Sequence, residues 1–211
     1  MKQFGEHAVS PVVGVMLMLV VTIIIAAVVS GFAGGLMNSQ IKPPTAVITG
    51  TFSVTSGMTI TNTGGDPLPT SSLLIETRNG PSFGPNLGTS TISVVDLSNV
   101  TNAAGTPVAF RNPVTDSIDG YNITSFNPGD TWYVNITNCN PATFENTSYP
   151  YPSKGNYSLV NGEWTFSGDP NFILWQIMFV NPANIGKSFY LDVIDSSSGT
   201  RISESVVTIT G

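Results

Sequence analysis

Few side chains in this 211-residue chain can do chemistry, and their placement keeps them apart. Cys139 is the single thiol and His7 the single imidazole. A cysteine nucleophile needs a base within hydrogen-bond reach. His7 lies ahead of a long apolar segment, so no Cys–His pair is expected, and Cys139 reads as a passive, partly buried thiol. One cysteine also leaves no intramolecular disulfide. Asp116/Asp119 and Asp192/Asp195 are spaced carboxylate pairs. A calcium site needs about six converging oxygens, so these acids are expected to cap turns or solvate loops. There is no Gly-rich loop ending in Gly-Lys-Ser/Thr, no Gly-x-Ser-x-Gly and no His-based metal motif. With one histidine, Ser–His hydrolysis and His-ligated zinc are not expected. The chain reads as no enzyme, with no cofactor and no metal.

Charge excludes another class. The formal net charge is -6, from 13 acidic and 7 basic residues. Lys2, Lys42, Arg78, Arg111, Lys154, Lys187 and Arg201 are scattered singly. Nucleic-acid binding needs a Lys/Arg face to neutralise phosphates, so nucleic acid is not a partner. The polar fraction is mostly Ser, Thr, Asn and Gly, which solvate a surface without charge and suit an extracellular β-domain.

One kind of modification chemistry is written repeatedly. Asn-x-Ser/Thr sequons start at Asn99, Asn122, Asn135, Asn146 and Asn156. If used, they mark a solvent-facing wall carrying N-glycans. Asn135 falls in a predicted strand, so its side chain must point outward. Aromatics gather in the same stretch, at Tyr121, Phe126, Trp132, Tyr133, Phe144, Tyr149, Tyr151, Tyr157, Trp164 and Phe166. Long loops need a small core of their own, so these rings are expected to be buried there.

The elements that position these residues fall in two classes. No charged side chain occurs from Ala8 to Ile41, and Val12–Val29 is almost wholly apolar on every helical face. Ser10 can cap a helix that Pro11 begins, and Asn38 through Pro43-Pro44 ends it. A helix from about Pro11 to Met37 would span ~40 Å, enough to cross a bilayer. Ala27, Gly31 and Gly35 recur four apart on one face and, with Gly14, are candidate helix-packing positions. Three readings of the segment stand: a cleaved secretory signal, for which the run is too long; a plain signal anchor; and a signal whose short leader is cut off while the helix stays.

Lys42-Pro43-Pro44 reads as a short stiff linker. Beyond it the periodicity becomes that of strands. Strands are expected over Thr45–Val54, Met58–Asn62, Leu73–Thr77, Thr91–Leu97, Thr131–Thr137, Phe172–Val180, Phe189–Ile194 and Arg201–Ile209. Turns are expected at Thr63–Pro67 and Ser196–Gly199. Gly80–Asn86, Asn99–Asp130 and Asn138–Asp169 read as long loops or decorated hairpins. The expected fold is α+β: a long N-terminal apolar α-helix followed by an antiparallel β-sandwich.

His7-Ala8-Val9-Ser10-Pro11-Val12-Val13-Gly14-Val15-Met16-Leu17-Met18, followed by a Val/Thr/Ile/Ala run and the exit Ala26-Ala27-Val28-Val29, resembles the N-terminal domain of archaeal type IV pilins. More weakly, Thr59–Asp66, Pro128-Gly129-Asp130 and the closing Asp195…Ser198-Gly199-Thr200-Arg201-Ile202 resemble landmarks of pilin head domains, which implies an immunoglobulin-like sandwich. The resemblance implies a leader, residues 1–7, cut by a membrane-embedded prepilin peptidase. The bond is His7–Ala8 or, alternatively, Gly5–Glu6. It implies a helix over 8–41 held in membrane lipid before assembly, a linker at 42–44 and a head over 45–211. An assembly ATPase on a membrane platform would move subunits into a surface filament built from copies of the chain, serving adhesion. The alternative is a membrane-anchored extracellular binding module that does not polymerise.

Overall fold

A computed structural model describes residues 11–37, 43–140, 155–169 and 171–211. The chain divides into two compact units, Met1–Lys42 and Pro43–Gly211. In the first, helix α1 runs Pro11–Met37. Proline suits its first position, where a backbone N–H would have no intrahelical partner. Thr22 returns its hydroxyl to the Leu19 carbonyl at 2.9 Å, so this polar side chain is satisfied within the helix itself.

The second unit is mostly β. Its strands are β1 (Ala46–Ser53), β2 (Gly57–Gly65), β3 (Leu68–Pro69), β4 (Leu73–Asn79), β5 (Ser93–Val94), β6 (Val100–Asn102), β7 (Ala109–Arg111), β8 (Ile118–Tyr121), β9 (Ser125–Phe126), β10 (Thr131–Asn135), β11 (Gly155–Val160), β12 (Glu163–Gly168), β13 (Ser188–Asp195) and β14 (Thr200–Thr210). A short helix, α2 (Ile173–Ile177), precedes β13. Eight strands join in the order β5-β4-β13-β14-β1-β2-β10-β6. Every neighbouring pair in that sheet is antiparallel except β1 and β14, which run parallel at Phe52/Ile209 and Ser53/Thr210. Nearer the start of β1 a side chain stands in for the ladder. The Ile48 N–H donates to Ser203 Oγ at 3.1 Å, and that hydroxyl donates to the Ile48 carbonyl at 3.5 Å.

Alternation sets the core. Ala46, Ile48 and Phe52 of β1 are buried, while Val47, Thr49 and Thr51 are exposed. Gly50 lies on the buried side, where a Cβ would stand 2.8 Å from Leu191 Cδ2 and from Val207 Cγ2. The strand therefore passes close to side chains of β13 and β14, and the sheet curls around one core. Phe179 and Phe189 stack at 4.0 Å between centroids, and Phe52 meets Phe189 edge-on at 5.7 Å. Phe126 and Trp132 stack in the same core.

The expected α+β class, a helix followed by a β domain, is the one adopted. Several elements differ from expectation. Phe172–Val180 is not a strand, because its centre forms α2. An apolar run of this length fits a buried strand or a buried helix equally. Three buried asparagines decide the outcome by taking carbonyls around the end of α2. Asn79 Nδ2 donates to Ile177 O at 2.7 Å, Asn181 Nδ2 to Trp175 O at 2.9 Å, and Asn184 Nδ2 to Gln176 O and Met178 O. β2 runs on through Gly65, so the expected turn at Thr63–Pro67 shrinks to its end. Only Ser93–Val94 of Thr91–Leu97 pairs as strand. β10 stops at Asn135, where a turn over Ile136–Asn138 begins. The stretches read as loops or decorated hairpins contain β6 to β9 and the β11/β12 hairpin.

Candidate functional site: an uncovered apolar helix

No side chain from Val12 through Phe32 is buried within the chain. The large apolar ones, from Val12 at 65% to Phe32 at 72%, are never less than 43% exposed. Burying one such side chain stabilises by ~1.5–3 kcal/mol. Over the whole helix the unrealised term is on the order of 20 kcal/mol, above the ~5–15 kcal/mol that holds a typical domain folded. A helix this apolar is suited to lipid or to an apolar protein surface. It is long and apolar enough to cross a bilayer by length and composition. Thr22, its polar residue between Val12 and Val29, is already bonded to backbone, as an apolar surrounding demands.

The candidate packing residues sit along this rod. A Cβ added at Gly14 or at Gly31 meets nothing within 4 Å, so no contact inside the chain requires glycine there. Ala27, Gly31 and Gly35 share one face, and Gly14 lies about 220° around from Ala27. Small residues are thus offered to neighbours on more than one side. Among the described residues the helix runs from Pro11. Ser10, the leader residues His7, Ala8, Gly5 and Glu6, and Asn146 lie outside the described residues, as do Phe144, Tyr149 and Tyr151.

The other sequon asparagines occupy different settings. Asn99 is half-buried, ending a turn at Leu97–Asn99. Asn122 is exposed, with Nδ2 donating to the Pro107 carbonyl at 3.1 Å. Asn156 is exposed on β11, opposite Ser167 of β12. Asn135 is exposed at the end of β10, so it points outward, and its Oδ1 accepts from Thr137 N and Thr137 Oγ1 at 3.0 Å each.

Among the aromatics, Phe126, Trp132 and Trp164 are buried, and Trp164 Nε1 donates to the Ile136 carbonyl at 2.7 Å. Tyr121, Tyr157 and Phe166 are half-buried. Tyr133 departs from the expected burial at 39% exposed.

Charged side chains of the head are engaged with each other. Asp192 was expected at a turn or loop. It stands instead on β13 with its side chain 5% exposed, held by Arg78 Nε at 2.6 Å and Arg201 Nη1 at 3.3 Å. Both arginines also reach Glu204, and Arg78 lies over the Tyr190 ring at 4.0 Å. Burial, then the Asp192 charge, raises the Glu76 carboxyl above its ordinary range. Arg111 pairs with Asp96 and Asp116. Burial opposes ionisation of Asp96, yet hydrogen bonds from Ser98 and Arg111 hold it below the ordinary range. Asp195 does cap its turn, where the hydroxyls of Ser198 and Ser197 hold it low. Cys139 is fully buried. Among the described residues no group of three His, Cys, Asp or Glu side chains could hold a metal ion. The β4–β13–β14 charge network was missed from sequence. Its signal was the two-residue spacing of Glu76 with Arg78 and of Tyr190 with Asp192 on adjacent strands.

A protein of Archaeoglobus fulgidus, described as uncharacterized, is 36% identical over 76 residues, covering 35% of this chain and 54% of that protein. The chain thus spans about half the length of that relative. No solved structure matches. Residues 7–48 match the family described as archaeal type IV pilin, N-terminal. That match covers α1 and the first residues of β1, so the N-terminal segment of the chain is similar to that of the archaeal type IV pilins.

Proposed function

We propose that this chain is a structural subunit of an archaeal type IV pilus-like surface filament. The observation that carries the reading is α1, an uncharged rod uncovered on all faces within a matched pilin N-terminal domain. The precursor sits in the membrane through α1. A prepilin peptidase removes the leader at His7–Ala8, or at Gly5–Glu6. An assembly ATPase and its membrane platform then drive the subunit out of lipid. In the filament, α1 exchanges lipid for the helices of other copies, with Gly14, Ala27, Gly31 and Gly35 at the closest approaches. The head forms an outer sleeve that carries adhesion and glycans. Its curled eight-stranded sheet, closed on an aromatic core, supports reading the head as an immunoglobulin-like sandwich.

The test is the N-terminus of the mature protein together with electron microscopy of filaments sheared from the cell surface. A mature chain starting at Ala8 or Glu6, recovered as the repeating subunit of a fibre, is the expected result. An intact Met1 on a protein found only as a membrane-bound monomer overturns the reading in favour of an anchored module.

A further inference from the structure

The four described sequons differ in what their side-chain nitrogen is free to do. N-glycosylation needs an exposed asparagine whose Nδ2 can reach a sugar donor. Asn99 is half-buried, and Asn122 already spends Nδ2 on the Pro107 carbonyl. Asn156 is exposed, and among the described residues Ser158, Thr165 and Ser167 share its face of the hairpin, none of them aromatic. Asn135 differs from all three. Its Oδ1 takes both the N–H and the hydroxyl of Thr137, the third sequon residue. Because an N–H must meet an acceptor, the oxygen is fixed on that arm of the amide and the nitrogen on the other. Nδ2 has no hydrogen-bond partner among the described residues.

The ground next to Asn135 suits a sugar. Strand periodicity puts Tyr133 on the same outward face, two residues before Asn135. Directly across β2 stands Gly57, which has no side chain to fill the space. Gly57 is fixed by its backbone: φ is +95°, and a Cβ would stand 2.1 Å from the Val134 carbonyl oxygen. On the other side, the pairing of β10 with β6 ends at Val134. An open cavity of ≈ 540 Å³ results, lined by Thr51, Gly57, Thr59, Thr101, Tyr133 and Asn135 among others. That is within the ~300–1,000 Å³ of small-ligand clefts. Its walls combine hydroxyls, which match sugar hydroxyls, with the exposed ring of Tyr133, which matches the apolar face of a pyranose.

We propose that Asn135 carries an N-linked sugar and that Tyr133 is the platform on which the first ring packs. This rests on the export that the proposed function entails. In the modification, Nδ2 attacks the anomeric carbon of a glycosyl phosphate or pyrophosphate donor. The new N–C bond forms as the C–O bond to phosphate breaks, the phosphate leaves with that electron pair, and Nδ2 gives up one proton. The attached sugar then closes the cavity over Tyr133.

The test uses the full chain made in an archaeal cell that transfers N-linked glycans. Trypsin leaves Asn122, Asn135 and Asn146 on one peptide between Arg111 and Lys154, whereas cleavage after Tyr133 and Phe144 isolates Asn135. A glycan mass is expected on the peptide from 134 to 144. It is lost in Asn135→Gln and Thr137→Ala and kept in Thr137→Ser. Tyr133→Ala is expected to lower Tm by about 2–4 °C more in the glycosylated chain than in the Asn135→Gln background. An unmodified 134–144 peptide overturns the proposal, whether or not other sequons are occupied. An equal Tm shift in both backgrounds overturns the platform. The N-terminus of the same preparation reports on pilin processing separately, so either reading can fail alone.

Discussion

Gly31→Leu separates what α1 does in the membrane from what it does between copies. Inside the chain the site is open, since a Cβ there meets nothing within 4 Å. The added side chain replaces the helix propensity of glycine with that of leucine, worth ~0.7–1 kcal/mol. It also favours bilayer insertion by roughly 0.5 kcal/mol. The precursor should therefore reach the membrane at least as well as the wild type. Between helices the sign reverses. A leucine forced into a close approach overpacks the contact at ~1–3 kcal/mol, and every subunit repeats the penalty. At ~1.4 kcal/mol per tenfold, assembly falls by about tenfold or more per contact. The assay compares processed protein in the membrane pellet with protein in sheared filaments, counted by electron microscopy. Ile24→Leu, a volume-conserving change in the same helix, serves as the control and should leave both pools unchanged. Wild-type filament numbers with Gly31→Leu would refute the packing face. Loss of the membrane pool itself would refute the placement of the effect between subunits.

Other perturbations follow from the head. Arg78→Met removes the shorter partner of a carboxylate whose side chain is 5% exposed; a loss of ~3 kcal/mol, or about 6–12 °C in Tm, is expected by thermal melting, and Arg78→Met with Asp192→Leu should recover most of it. The Glu76 carboxyl is raised in the folded state, so its charged form destabilises as pH rises; Glu76→Gln should raise Tm near neutrality, with the gain vanishing below the ordinary value of 4.5. Trp164→Phe removes one of two donors to the Ile136 carbonyl, which keeps the Cys139 N–H at 3.1 Å, and should cost ~1 kcal/mol in denaturant titration. Assembled filaments should keep their subunits from low to molar salt in sedimentation, because the assembling surface of α1 carries no charge.

What the sequence made legible follows from periodicity. α1 is apolar on every face over many turns, a pattern that only a helix of this length carries. β1, β4, β13 and β14 alternate over seven or more residues, long enough for the period of two to stand out. Phe172–Val180 misled because a buried run has no polar side to declare its period. The asparagines that settle it come from as far away as Asn79. The pairing of β1 with β14 joins residues 52 and 209, which no local pattern can announce. The same limit applies to the sequons. Their presence is a three-residue pattern, whereas the contrast between Asn122 and Asn135 depends on where Pro107, Gly57 and Tyr133 arrive in space.

A subunit that repeats along a fibre must be compatible with copies of itself, and the head surface bears on that demand. Identical copies cannot supply opposite charge to a uniformly charged patch, so such a patch repels its own image. Here Arg78, Arg111 and Arg201 are each spent on carboxylates of the same chain. The exposed side of β1, β2 and β10 instead displays Thr49, Thr51, Thr59, Thr61 and Thr131, several of them already linked, as Thr51 and Thr59 are at 2.6 Å. A hydroxyl both donates and accepts, so it complements an identical group in a neighbouring copy, water or a sugar with equal ease. Such a face neither resists crowding nor drives it. In the proposed filament α1 exchanges lipid contacts for helix contacts, since its apolar surface is already out of water in the membrane. The outward residues of the head, Tyr133 and Asn135 among them, then face what surrounds the fibre.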